Sequence, residues 1–179
     1  MFITSDLHFL HKKVKDFCPE TRPWDSLDEM TEGLIQKWND CVTKNGTKMF
    51  HLGDFCFGTP EQADEIASRL KGDITFISGN HCFSATKKRL AKYGKVLDYA
   101  EVKYNKKLFT LCHYPFLDWR NKAHGSIMLH GHEHGALKDT EVSRGKTMDV
   151  GWDAVGKFLH FDEILEIMSH REIMPIGHH

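Results

Sequence analysis

Hydrophobic and polar positions recur along this chain with two different periods, and the changes between them divide it into elements. Phe2-Ile3-Thr4-Ser5 reads as a short strand stopping at Asp6, and the next stretch, to Trp24, has no clear period and reads as a long loop. Ser26-Leu27-Asp28-Glu29 has the spacing of a capping box, and Met30, Leu34, Trp38 and Cys41 follow at helical intervals until Asn45-Gly46 supplies a stop. Lys48 to Leu52 reads as a strand running into Gly53-Asp54. Thr59-Pro60-Glu61-Gln62 then opens a second helix, with its apolar face on Ala63, Ile66, Ala67 and Leu70 and Gly72 at its end. Asp73 to Ser78 is the next strand, followed by a short helix from Ser84 to Tyr93. After Gly94 the texture changes: Val96 to Lys103 and Lys107 to Cys112 read as two strands of a hairpin turning at Tyr104-Asn105-Lys106. Ser126 to His130 and Thr147 to Val150 add two strands, and Phe161 to Met168 a last helix. No internal repeat or low-complexity segment interrupts this order.

Length and composition narrow the reading. With 179 residues, 40% of them hydrophobic, the chain can bury one core of ordinary size, and a single domain over 1–179 is expected. Lys and Arg number 24 against 25 Asp and Glu, so there is no global basic field of the kind that marks a nonspecific nucleic-acid binder. The cysteines, Cys18, Cys41, Cys56, Cys82 and Cys112, are odd in number and fit no CxxC spacing, which argues against a disulfide framework and for a reducing, cytoplasmic setting. The opening MFITSDLH lacks the pattern of a secretory signal, and no run approaches the roughly 18 apolar residues that a membrane span needs. The anomaly is 13 histidines, of which His178 and His179 at the end of the chain are given no functional weight.

Where the other histidines fall carries the chemistry. Asp6-x-His8, Gly53-Asp54, Gly79-Asn80-His81, Cys112-His113 and Gly131-His132-x-His134 each stand where an expected strand gives way to a loop. Open α/β sheets bind ligands beyond the carboxyl ends of their strands, so these groups are expected to meet at one edge. Carboxylate, imidazole and amide oxygen suit divalent manganese, iron, nickel or zinc, whereas a thiolate site needs clustered cysteines. Turn chemistry alone accounts for Gly53-Asp54 and Gly79-Asn80. It does not account for a histidine or carboxylate at the end of all five strands.

In order, these blocks resemble the signature of the calcineurin-like metallophosphoesterases: DxH, GD, GNH followed by an acid, a lone histidine, then GHxH. The resemblance runs from Asp6 to His134, and the small size and FITSDLHFLHKK opening are similar to compact predicted phosphoesterases of bacteria and phages. It implies an α/β fold of two packed mixed β-sheets flanked by helices, a four-layer αββα sandwich with its metals at the apex. It further implies two divalent ions, Mn²⁺ first and iron, nickel or zinc as alternatives. Asp6, His8 and His134 would hold one, Asn80, His113 and His132 the other, and Asp54 would bridge them. Such a pair lowers the pKa of a shared water and clamps the phosphoryl oxygens, and the resemblance makes His81 the proton donor to the leaving oxygen or at least a hydrogen bonder to the phosphate, not a metal ligand. One departure stands out: Cys82 occupies the position after GNH, usually an acid, which implies a slower enzyme, a shifted pH optimum, or use of Asp98, Asp118 or another acid in its place.

The expected reaction is hydrolysis of a phosphodiester or phosphomonoester, nucleotide-like esters included, with nucleic acid behind a small substrate and the oligomeric state left open. Arg22 and His11 are the substrate-binding candidates, each as a phosphate contact, against a structural ion pair for Arg22 and an exposed helix-start residue for His11. His51 and His130 read as interior side chains. Phe55, Phe57, Tyr114, Phe116 and Trp119 either pack their loops or stack on a base, and packing is the default. Lys87, Lys88, Arg89 and Lys92 read first as a solvated face. The rival readings are a protein phosphatase, which the absence of GDxxxRG after Asp54 weakens, an interaction module of the kind found in the retromer coat, and a structural zinc site using Cys112, His130, His132 and His134.

Overall fold

The computed structural model describes residues 1–137 and 145–174, so His178 and His179 lie outside the described residues. In chain order the elements are β1 (Phe2–Thr4), α1 (Val14–Phe17), α2 (Leu27–Cys41), β2 (Lys48–His51), α3 (Pro60–Ser68), β3 (Asp73–Ile77), α4 (Ser84–Leu90), β4 (Gly94–Leu97), β5 (Ala100–Tyr104), β6 (Lys107–Leu111), β7 (Ile127–His130), β8 (Thr147–Asp149), α5 (Trp152–Val155), β9 (Leu159–His160) and α6 (Phe161–Ser169). They form a five-stranded sheet of order β4-β3-β2-β1-β9 and a four-stranded sheet of order β5-β6-β7-β8. β1 to β4 pair in parallel, β9 runs antiparallel to β1, and the second sheet pairs β5 antiparallel to β6 but β6, β7 and β8 in parallel. Both sheets are therefore mixed, as expected.

Alternation along the strands sorts side chains between two apolar layers. Met49, Ile74 and Phe76 leave the first sheet toward the helices, where they pack with Met30, Leu34 and Trp38 of α2 and Ala63, Ile66 and Ala67 of α3. Ile3, Phe50 and Ile77 leave the opposite face and meet Phe109, Leu111, Ile127 and Leu129 of the second sheet, joined by Phe161, Ile164 and Met168 of α6. The far face of the second sheet is covered thinly, by Trp119 and Phe116 over Cys112 and Met128.

Local chemistry explains the starts of the longer helices. Thr59 and Gln62 form a full capping box over Pro60, and α3 begins there. At α2 the Ser26 hydroxyl accepts from the Glu29 backbone N–H, but the Glu29 carboxylate reaches Asp25 N rather than Ser26 N, so the expected box is shifted by one residue. That helix ends at Cys41, before Asn45-Gly46. The hairpin turns as expected, with Asn105 and Lys106 both at positive φ, which matches the twist of the flanking strands.

Two expectations are corrected. Val96 to Lys103 is not one strand: it divides around Asp98 and Tyr99 into β4 of the first sheet and β5 of the second. Residues 7–24 are not wholly irregular, because α1 forms one turn there. The pattern also gave no sign of α5 or of the two-residue β9, whose His160 caps α6 by accepting from Asp162 N.

Candidate metal centre

The parallel strands β1, β2 and β3 all end on the same side, and beyond them their loops keep pairing. Asp6 N donates to Gly53 O, His8 N to Asp54 O and Phe9 N to Phe55 O, which zips the loop after β1 to the loop after β2. From the second sheet Gly131 N donates to His113 O, and Val150 N to His130 O. The five motif loops thereby meet between the two sheet tops.

This convergence strains the backbone. Asp6, His8, Asp54, His132 and His134 hold φ between 47° and 72°, a left-handed region that side chains other than glycine enter at a cost of about 1–3 kcal/mol each. The motif glycines are demanded by close approach rather than by turns alone. A Cβ on Gly79 would overlap the Asp54 carboxylate, and one on Gly131 would overlap the Asp6 carboxylate and the Ser5 hydroxyl.

The donor atoms form two adjoining groups. In the first, ligand atoms of Asp6, His8 and His134 lie within 4.8 Å of one another, with the Nε2 atoms of His8 and His134 facing each other at 3.3 Å. In the second, Asn80 Oδ1 stands 2.8 Å from His113 Nε2 and 3.0 Å from His132 Nδ1, and Asp54 Oδ2 is 3.7 Å from His113 Nε2. Asp6, Asp54 and His113 also lie within 4.8 Å of one another and join the two. The outer nitrogens are committed: His113 Nδ1 donates to Leu52 O at 2.8 Å, and His134 Nδ1 to Asp153 Oδ2 at 2.9 Å. Each hydrogen bond turns the other ring nitrogen toward the centre.

These residues fit divalent cations on three counts. Asp6 is fully buried, its Oδ1 has no hydrogen-bond partner, and burial pushes its carboxyl well above the usual carboxylate range. His8 is lowered by burial and then by His134, which favours the neutral imidazole that a metal site requires. Oxygen and imidazole nitrogen make up the whole donor set. Cys18 also comes within 4.8 Å of His134 and Asp153, but the Asp153 oxygens are already occupied by Thr21, Arg22 and His134. The four-ligand zinc alternative does not assemble, since Cys112 Sγ faces Asp98 O and His130 Nδ1 stands 2.9 Å from Gly131 O.

His81 lies at the mouth with an exposed ring. Its backbone N–H donates to Asp54 Oδ1 at 3.0 Å, its Nε2 is 4.0 Å from Asp54 Oδ2, and its ring rests 4.5 Å from that of Phe57. Neither acid suggested as a substitute for the one missing at Cys82 serves: Asp98 pairs with Lys87, and Asp118 accepts from Trp119 N. His11 lines a groove of 620 Å³ beside the centre, together with His8, Phe17, Phe57, His81 and His134.

Arg22 is corrected. It is buried beneath the centre, and its guanidinium donates to Asp153, Asp6 O and Leu7 O, which leaves it no face to offer a phosphate. Asp153, its partner, carries no motif and escaped the sequence reading. His51 and His130 are interior, as expected, and so are Phe55 and Trp119, whereas Phe57 and Tyr114 remain partly open beside the centre. Three of the four residues of the basic run in and just after α4 are in ion pairs, Arg89 with Glu61 and Asp64, Lys92 with Asp64 and Lys87 with Asp98.

Comparison with known proteins agrees with this arrangement. An uncharacterized protein of Methanocaldococcus jannaschii is 31% identical over 75% of this chain and 69% of its own. The gene 66 protein of Mycobacterium phage D29 is 28% identical over 96% and 97%. Among solved structures, a protein of unknown function from Aquifex aeolicus superposes with a TM-score of 0.73 at 22% identity, over 93% of this chain and 98% of that one, and so shares the fold. The family profile of the calcineurin-like phosphoesterases matches residues 1–179. With its two mixed sheets and its oxygen and imidazole donors at their junction, the chain belongs to the calcineurin-like phosphoesterases, metal-dependent hydrolases of phosphoester bonds.

Proposed function

We propose that this protein hydrolyses a phosphodiester at a pair of divalent cations, with Mn²⁺ the first expectation. Asp6, His8 and His134 would hold one ion, Asn80, His113 and His132 the other, and Asp54 would lie between them. The observation that carries this reading is the pair of adjoining donor groups joined through Asp6, Asp54 and His113. When bound, two such ions activate a water and neutralise phosphoryl oxygens.

The chain's own residues do the rest. Leu52 O and Asp153 hold His113 and His134 in one tautomer each. His81, anchored through its backbone to Asp54 and open at the mouth, presents an imidazole that can give its proton to the departing alkoxide. The groove lined by His11, Phe17, Phe57 and His81 lies on this leaving-group side, and its exposed phenyl rings suit a flat organic group such as a nucleobase. With Arg22 buried and no lysine or arginine among the described residues lining the groove, a singly charged diester is favoured over a doubly charged monoester.

The test is turnover of bis(p-nitrophenyl) phosphate, p-nitrophenyl phosphate and a dinucleoside monophosphate by metal-stripped protein given Mn²⁺. The expected result is metal-dependent turnover with the diesters ahead, lost in Asp54→Asn. In His81→Ala, about 10²–10⁴-fold should be lost on the dinucleoside ester. The loss on the aryl esters should be smaller, because p-nitrophenolate departs without a proton. Equal losses on both leaving groups would remove His81 from the acid role, and metal-independent turnover would sink the assignment.

A further inference from the structure

The two donor groups are supported differently. Arg22 Nε and one terminal nitrogen donate to the two Asp153 oxygens at 2.8 and 2.9 Å, and the guanidinium also donates to Asp6 O at 2.8 Å and Leu7 O at 2.9 Å. Both side chains are sealed from solvent, at 0% and 1% exposure. Asp153 Oδ2 accepts the Nδ1 proton of His134, and Thr21 Oγ1 donates to Asp153 Oδ1. One planar cation therefore grips the turn that carries Asp6 and His8, and through Asp153 it also sets the ring of His134. The rings of His113 and His132 and the amide of Asn80 are held otherwise, by Leu52 O, one another, Asp54 and Tyr114, and the second group meets the first at Asp6, whose Oδ2 accepts from His132 N and whose Oδ1 stands 4.0 Å from His113 Nδ1.

We propose that Arg22 and Asp153 are positioning residues for one cation of the pair. They preset Asp6, His8 and His134 as a unit, while the donor atoms of Asn80, His113 and His132 are set by other contacts. This rests on the two-cation reading above. The physical case has three parts. The Asp6-Leu7-His8 turn holds both of its ligands at positive φ, so its carbonyls need an external hold, and the guanidinium supplies it. His134 can direct Nε2 inward only while Nδ1 carries the proton, which the Asp153 carboxylate requires. A buried ion pair is a poor source of stability but an effective fixer of geometry when each oxygen and N–H is matched, and here the fork of arginine meets four acceptor oxygens. Lysine, with one nitrogen on a flexible stem, cannot span them.

The experiment reloads metal-stripped protein with Mn²⁺ and measures ions bound per chain, together with the electron paramagnetic resonance signal. Wild type is expected to take two ions and give the signal of a coupled pair. Arg22→Lys and Asp153→Asn are expected to take one ion at the same Mn²⁺ concentration, to give the signal of isolated Mn²⁺, and to bind the other ion at least about tenfold more weakly. The double variant Arg22→Met with Asp153→Leu removes both charges together, so no buried charge is left unpaired. With its fold checked by circular dichroism, it is also expected to take one ion, and it decides the matter should a single variant fail to fold. Variants that bind two ions with wild-type affinity, or that lose both ions in equal measure as a general loosening requires, overturn the proposal and leave the two-cation reading standing. A wild-type protein that binds fewer than two ions overturns that reading and the proposal with it.

Discussion

His51 shows at the scale of one residue how close the interior comes to the limit of what an unpaired polar group tolerates. It is wholly buried, accepts from Gly53 N through Nδ1, and leaves Nε2 without a partner. Burial, then the neighbouring His113, lowers its pKa to about 3. A histidine lowered in the folded state has no effect on stability above its unfolded pKa, near 6.5. Below that, the unfolded chain takes up a proton that the folded chain refuses, and stability falls until the folded pKa is reached. Between about pH 6.5 and 3, His51 should therefore cost up to about 1.4 kcal/mol per pH unit. Urea unfolding at several values in that window should give a steeper decline for wild type than for His51→Phe; parallel slopes would show that His51 is not the titrating group. That the candidate ligands would come together was legible because residue type and spacing at the strand ends mark them. Arg22 stayed between two readings because burial is a tertiary property: the same guanidinium in the same loop is a phosphate clamp if it faces out and a structural ion pair if it faces in, and it faces in. Asp153 was illegible for the same reason, standing in a helix of four residues with nothing around it to mark it.

At the scale of elements, boundaries set by side-chain chemistry were readable and boundaries set by packing were not. The capping box at Thr59 and Gln62 is the clear case, with both reciprocal hydrogen bonds made. Thr59→Ala should destabilise the protein by about 1 kcal/mol, measured by chemical denaturation, and Thr59→Ser should recover most of it. Equal losses in the two variants would mean that the hydroxyl cap contributes nothing. The division of Val96 to Lys103 had no such mark, because a strand changing sheets continues to alternate in the same way. β9 failed for another reason, since two residues cannot establish a period.

At the scale of the whole molecule, the candidate ligands come from both sheets: Asp6, Asp54 and Asn80 from loops after β1, β2 and β3, His113 and His132 from loops after β6 and β7. Bound ions would thus tie one sheet to the other. Saturating Mn²⁺ should raise the unfolding temperature of stripped protein, by the equivalent of about 2.7 kcal/mol per site at a hundredfold excess over Kd, read by calorimetry against Mn²⁺ concentration. A midpoint indifferent to Mn²⁺ would contradict a site built across both sheets. The two-sheet plan was legible only through the resemblance carried by the motifs, because nothing in the apolar pattern tells which strand belongs to which sheet.

The passage from β4 to β5 acquires meaning here. Only Asp98 and Tyr99 separate Leu97 from Ala100. Three peptide steps span at most about 10–11 Å, and packed sheets stand about 10 Å apart. That short link is a spine with almost no slack, binding the two sheets along one side as the cations would fasten them across the top. Its length limits how far the two sheets can part along that side, and so bounds the gap that ions held between the sheet tops would have to bridge.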